Sequence, residues 1–155
     1  AEAHLLTAPG VAQSREAKLV LLSDTYVRQT MELFSKVTLA VVGIGAMEPS
    51  GMLSRSGNVF TSREIAEVTN AGGVGDIGLR FFDAEGRPVT TPMDERVIGM
   101  SLSELGKTSR VMALAGGPSK TFAIRGALRT GVIDLLVTDK FTAERLLTPD
   151  ANFST

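Results

Sequence analysis

The residues with the clearest chemical potential are Gly116, Gly117, Ser119 and Lys120. They stand between an apolar run, Val111-Met-Ala-Leu-Ala115, and a helix-forming stretch, Thr121-Phe-Ala-Ile-Arg-Gly-Ala-Leu128. Buried strand, glycine turn, lysine and helix, in that order, is how a parallel sheet builds a seat for an anion. Gly116 and Gly117 lack a Cβ, so the turn is free to aim N–H groups at one point, and Ser119 adds a hydroxyl. A cation at the start of a helix costs about 0.3 kcal/mol or more unless an anion lies beside it. The pattern predicts phosphate binding by backbone amides, Ser119 and Lys120; the plainer alternative is a tight turn with an exposed lysine. The spacing Gly-x-x-x-x-Gly-Lys-Ser/Thr is absent, so nucleotide hydrolysis is not implied.

A second glycine cluster, Gly72-Gly-Val-Gly75-Asp76, suggests close backbone approach to a ligand at Gly73 and Gly75, with Asp76 accepting hydrogen bonds from sugar hydroxyls. The alternative is a glycine turn whose Asp caps itself. The cluster lacks the Gly-x-Gly-x-x-Gly spacing ahead of a helix, which argues against a dinucleotide. Asp83 either orients a ligand hydroxyl or serves ordinary turn chemistry before Glu85-Gly86. Asp139 is expected to cap the last helix, though it also follows a strand's carboxyl end. Asp94-Glu95-Arg96 reads as a solvated turn with a lesser claim to a site role, and His4 as incidental in a frayed terminus. One histidine and no cysteine argue against a His-centred triad, a thiolate nucleophile, a metal site or a disulfide framework, and no cofactor is implied.

These groups need a scaffold. Ser14 is placed to cap a helix that runs through residues 14–36, with a break and a second start at Ser23-Asp24. Val37-Thr-Leu-Ala-Val-Val42 is a β-branched run ending in Gly43-Ile-Gly45 and predicts a strand covered on both faces. Residues 46–60 have no sustained period and predict a loop. Thr61 with Glu64, and Ser101 with Glu104, are capping boxes for short helices. Residues 76–83 alternate as a strand, turn at 83–86 and return over 87–90; Val97-Ile98 is a short strand candidate. A strand at 110–115, a helix through Arg129, a strand at 132–137 and a helix at 142–147 follow. Strand and helix alternate, so the fold class is α/β, with ligands gathering at the carboxyl ends of the strands around Gly43-Ile44-Gly45, Gly116–Lys120 and Thr138-Asp139.

With 155 residues the chain is long enough for one domain with its own core. Sixteen Lys and Arg against seventeen Asp and Glu, without a basic run, make it a poor nucleic-acid binder by itself. No apolar stretch reaches the roughly 20 residues of a membrane span, so no membrane partner and a soluble cytoplasmic protein are expected. The start, Ala-Glu-Ala-His, suggests an excised domain or fragment.

Seven motifs in order, Val42-Gly-Ile-Gly45, Ala71-Gly-Gly-Val-Gly-Asp-Ile77, Arg80-Phe-Phe-Asp83, Asp94-Glu-Arg-Val-Ile-Gly99, Ala115-Gly-Gly-Pro-Ser-Lys-Thr-Phe-Ala-Ile124, Ala127-Leu-Arg129 and Leu136-Val-Thr-Asp139, resemble the C-terminal effector-binding domain of the SorC family of bacterial sugar-responsive transcriptional regulators. The resemblance runs from about residue 8 to 147. It implies a Rossmann-like, three-layer α/β sheet with helices on both faces, related to sugar-phosphate isomerases and deaminases and incomplete at its N-terminal side. It implies sensing of a phosphorylated sugar rather than its conversion, with an isomerase or deaminase as the alternative. By that likeness Gly72–Gly75 and Asp76 face the sugar, Gly116, Gly117 and Lys120 hold phosphate, and Phe81 and Asp83 shape the pocket wall. The family's helix-turn-helix and a Gly-Thr-Thr-like phosphate loop have no counterpart here, so DNA is expected to be reached only through an N-terminal domain outside this chain. A homo-oligomer is expected on the same grounds.

Overall fold

Ser14 accepts a hydrogen bond from the Ala17 N–H and starts α1 (Arg15–Ser23). Asp24 then accepts from the Tyr26 and Val27 amides and starts α2 (Thr25–Glu32), so the expected interruption is a second N-cap. The structure is a computed structural model that describes residues 2–47 and 60–148. The loop expected over 46–60 therefore lies mostly outside the described residues. After a 3-10 turn the chain enters β1 (Leu39–Gly43) and, one residue on, β2 (Gly45–Ala46). The capping box of Thr61 and Glu64 opens α3 (Ser62–Asn70), and that of Ser101 and Glu104 opens α4 (Leu102–Leu105). β3 (Gly73–Ile77) and β4 (Arg80–Asp83) lie between them; β5 (Arg110–Leu114), α5 (Thr121–Arg129), β6 (Leu135–Val137) and α6 (Lys140–Leu147) complete the order.

Two three-stranded sheets result. One is parallel, in the order β1-β5-β6, with Gly43 opposite Leu114 and Leu114 opposite Val137. The other is antiparallel, in the order β2-β3-β4. The sequence reading of residues 76–83 as one strand is corrected here. The chain reverses at Gly78-Leu79, with φ of 59° and 65°, and Ile77 pairs with Arg80 across the turn. Both central residues have positive φ, the geometry that suits the twist of a two-residue hairpin. Leu79 adopts it while its N–H is held by the Asp76 carboxylate at 2.9 Å. The return over 87–90 is present as the Phe82–Pro88 bridge and the Val89 N–H bond to the Phe81 carbonyl.

The main core gathers Ala40, Val111 and Ala113 from the parallel sheet, Leu102 and Leu105 from α4, and Ala123, Ile124 and Ala127 from α5. Strand side chains alternate between faces. The alternate positions, Leu39, Val41, Leu114, Leu135 and Val137, remain 45–61% exposed. β1 is thus covered on one face among the described residues, not on both. A second core joins Phe60, Val68, Phe81, Val89, Met93 and Val97. Beside it Arg80 donates to the carbonyls of Asp94, Val97, Gly99 and Met100 and pairs with the Asp94 carboxylate at 3.2 Å, which fixes the segment from 94 to 100. Arg96 pairs with Glu64 of α3. Asp94 and Arg96 are therefore bracing groups.

Candidate functional site

The carboxyl ends of β1, β5 and β6 meet the start of α5. β1 ends at Gly43, which is exposed; Ile44 is buried beneath it, and Gly45 begins β2 opposite Asp76. The Asp76 carboxylate lies over the Gly45 Cα, where no Cβ fits. From the other side comes Lys120, the last residue of the 3-10 turn Pro118–Lys120 that leads into α5. Its side chain is half-buried and turns inward, and Nζ donates to the Ile44 carbonyl at 2.9 Å. Burial pushes the Asp76 carboxyl above its ordinary range, opposed by the Leu79 N–H and by the Lys120 charge. Sequence reasoning placed Lys120, Gly45 and Asp76 in one site, and the fold brings them together.

The glycine turn is organised differently from expectation. Gly117 has φ 99°, a conformation open to glycine, and its N–H donates to Asp139 Oδ2 and to Thr142 Oγ1, each at 2.9 Å. That amide is already engaged with a carboxylate of the chain itself. Asp139 caps α6 as expected: Oδ1 accepts from the Thr142 N–H, and Oδ2 accepts from the Thr142 hydroxyl at 2.6 Å. Those bonds and the one from Gly117 hold its carboxyl down to about 2. A depressed folded value stabilises the fold above the ordinary carboxylate range, and the contribution is lost as pH falls toward 2. Gly116 packs directly under Asp139 Oδ2, and Ser119 is exposed on the 3-10 turn.

Four other sequence-selected residues sit elsewhere or serve packing. A Cβ on Gly75 would lie 2.7 Å from the Gly45 carbonyl oxygen, 2.8 Å from Ala123 Cβ and 3.0 Å from the Phe82 ring. Gly73 is pressed against Val68 of α3 in the same way. Phe81 is buried in the second core with its ring 5.6 Å from that of Phe60, so it walls that core. Asp83 accepts from the Glu85 and Arg87 amides and pairs with the Arg87 side chain at 3.2 Å, the turn chemistry of a hairpin. Its backbone abuts Gly126, six residues along α5 from Lys120, or about 9 Å at the rise of a helix.

Three groups here had no assigned role in the sequence reading, although Ile44 and Thr138 lie in loops that it named. The Ile44 carbonyl is one. The others are the hydroxyls of Thr121 and Thr138, both buried without a hydrogen-bond partner at this end of the sheet; Thr138 Oγ1 is 3.4 Å from the Cβ position of Gly116. Among the described residues there is no cluster of His, Cys, Asp and Glu able to hold a metal, and no helix is long and apolar enough to cross a membrane.

The Sugar-bind family model, a sugar-binding domain, matches residues 1–148. The erythritol catabolism regulatory protein EryD of Brucella abortus is 36% identical over 145 residues, which cover 94% of this chain and 45% of that protein. The solved structure of the full-length sorbitol operon regulator SorC from Klebsiella pneumoniae superposes with a TM-score of 0.86 at 28% identity, over 96% of this chain and 48% of its own. A DeoR family transcriptional regulator from Listeria monocytogenes gives 0.83 at 34% identity, over 92% of this chain and 57% of its own. The chain spans about half the length of these relatives.

Proposed function

The chain belongs to the sugar-binding domain family of SorC- and DeoR-type transcriptional regulators, and from that premise we propose that it senses a phosphorylated sugar and passes its arrival to a DNA-binding segment of a longer polypeptide. The observation that carries this reading is the inward-turned Lys120. One of its three N–H donors goes to the Ile44 carbonyl, which leaves two for an anion at the carboxyl ends of parallel strands. Asp76, an acceptor on the opposite wall, suits the sugar hydroxyls. Gly43, Gly45, Gly116, Gly117 and Ser119 supply backbone and hydroxyl contacts around the two. Gly73, Gly75, Phe81 and Asp83 support the site from outside it.

Sensing requires the effector to prefer one arrangement of the regulator over another, and binding energy at Lys120 is the source of that preference. The cytoplasm, where DNA and sugar phosphates meet, is the setting, and a homo-oligomer of the longer regulator is its working form. Relatives named as regulators support binding without turnover. The raised carboxyl of Asp76 beside Lys120 also favours a second reading, proton transfer on a bound sugar phosphate as in an isomerase or deaminase.

One experiment separates these. Sugar phosphates are expected to raise the melting temperature, while their unphosphorylated counterparts do not, and NMR of the mixture should show the sugar unchanged after overnight incubation. Lys120→Met should keep the fold by circular dichroism and weaken binding about 10- to 100-fold, the range of a lost charged hydrogen bond. Identical shifts with and without the phosphate, or a Lys120→Met variant that binds as well as the wild type, would exclude the sensor reading. Appearance of a product would establish the enzyme.

A further inference from the structure

Asp139 stands in an unusual relation to the turn assigned above to the effector's anion. Its Oδ2 shares the Gly117 N–H with Thr142 Oγ1, each at 2.9 Å, and lies directly over Gly116, so a carboxylate oxygen of the chain sits where an oxyanion of the effector would contact this turn. The same carboxylate holds the first turn of α6 through the amide and hydroxyl of Thr142. The buried Thr138 hydroxyl, without a partner, lies 3.4 Å from the Cβ position of Gly116. Lys120, the cation of this turn, is directed toward the Ile44 carbonyl, and no ion pair joins it to Asp139 among the described residues.

We propose that Asp139 is an internal competitor for the effector's oxyanion, which sets the binding threshold of the site and must give up the Gly117 N–H when that oxyanion arrives. The inference rests on the reading of the Gly116–Lys120 turn as an anion site, and it reverses the sign expected of an ordinary ligand contact. Two anions do not share one amide: bringing a phosphate to Gly117 means either displacing the carboxylate or bearing its repulsion. Moving the carboxylate away from Gly117 also loosens its bonds to the Thr142 amide and hydroxyl, so the event reaches the first turn of α6. Asp139 is in this sense a positioning residue, and its removal strengthens binding.

The probe is inorganic phosphate, titrated by calorimetry against the wild type, Asp139→Asn and Asp139→Ser. Asn and Ser both keep a capping side chain for α6, and Ser is too short to reach Gly117, so one variant at least should retain the fold. Phosphate is expected to bind both variants about 5-fold or more tightly than the wild type. Glu144→Gln, which removes the same charge one turn along α6, should change the affinity less than about 2-fold. Hydrogen exchange at the Thr142 amide of the wild type is expected to quicken on adding phosphate. Equal or weaker phosphate binding by both Asp139 variants overturns the proposal, as does an equal gain in Glu144→Gln or an unchanged Thr142 amide. Wild-type stabilisation by sugar phosphates decides the sensor reading separately, because the competition is read from the ratio of variant to wild type with phosphate alone.

Discussion

Gly72–Asp76 and Gly116–Lys120 look alike as sequence, each a run of glycines next to a charged residue, yet the fold uses them in opposite ways. In the first, Gly73 and Gly75 lie within a strand whose neighbours leave no room for a side chain: Val68 of α3, Ala123 of α5 and the Gly45 backbone are already in contact distance. In the second, nothing lies within 4 Å of where a Cβ on Gly117 would stand, and the glycine is needed for its φ of 99°. The carboxylates beside them differ in the same sense. Asp76 is pushed up by burial, whereas Asp139 is held down by three donors. Gly73 and Gly75 serve packing and Gly117 aims an amide, while Gly72, with φ 89° and open space, and Gly116, pressed under Asp139, are the exceptions in their clusters.

Substitutions can break that contrast. Gly75→Val should have the largest effect, about 3 kcal/mol or more lost in chemical denaturation, because the added atoms collide with backbone and core on three sides. A loss below about 1 kcal/mol would mean that β3 is not pressed against α5. Gly117→Ala meets no neighbour, so its cost is backbone strain alone, about 1–3 kcal/mol, and phosphate affinity should change with it. An alanine tolerated at no cost would remove the distinction between the two clusters.

The smallest effect is expected from Asp76→Asn, and its sign is informative. A carboxyl raised in the folded state takes stability away as pH climbs through and above the ordinary carboxylate range. Asn keeps an acceptor for the Leu79 N–H without the buried charge, so the variant should melt higher than the wild type at neutral pH. The gap should close as pH is lowered below the ordinary carboxylate range. A variant that melts lower at neutral pH would show that Lys120 outweighs burial at this position.

Local signals were the most legible. The boxes at Thr61 and Ser101 and the caps at Ser14 and Asp24 each involve residues two or three apart, and the structure has all four. Lys120 and Asp76 stood out in the sequence because charge beside glycine is a local pattern, and the fold brings the two together. Their meeting point was not: Lys120 reaches the carbonyl of Ile44, 76 positions away, and a backbone carbonyl carries no signature of its own. Phe81 was misplaced for a related reason. Its neighbour Phe82 belongs to the main core and Phe81 to the second, because successive residues of β4 face opposite sides and the pairing with β3 decides which side meets which core. A leucine in that turn goes against local preference and is upheld by Asp76, so residue types alone pointed to one continuous strand.

α5 is only nine residues, about 13 Å from end to end. Lys120 precedes its first turn; near the other end Gly126 touches Val74, Phe82 and the Asp83 carbonyl, Arg129 donates to the Ala84 carbonyl, and Gly86 rests on the Arg129-Thr130 backbone. With so little slack along its length, this short rod has no way to tip at one end without dragging the hairpin at the other. The small antiparallel sheet thus meets the rod at both ends, through Asp76 beside Lys120 and through the Asp83 carbonyl beside Gly126, so a shift at either end is felt at the other.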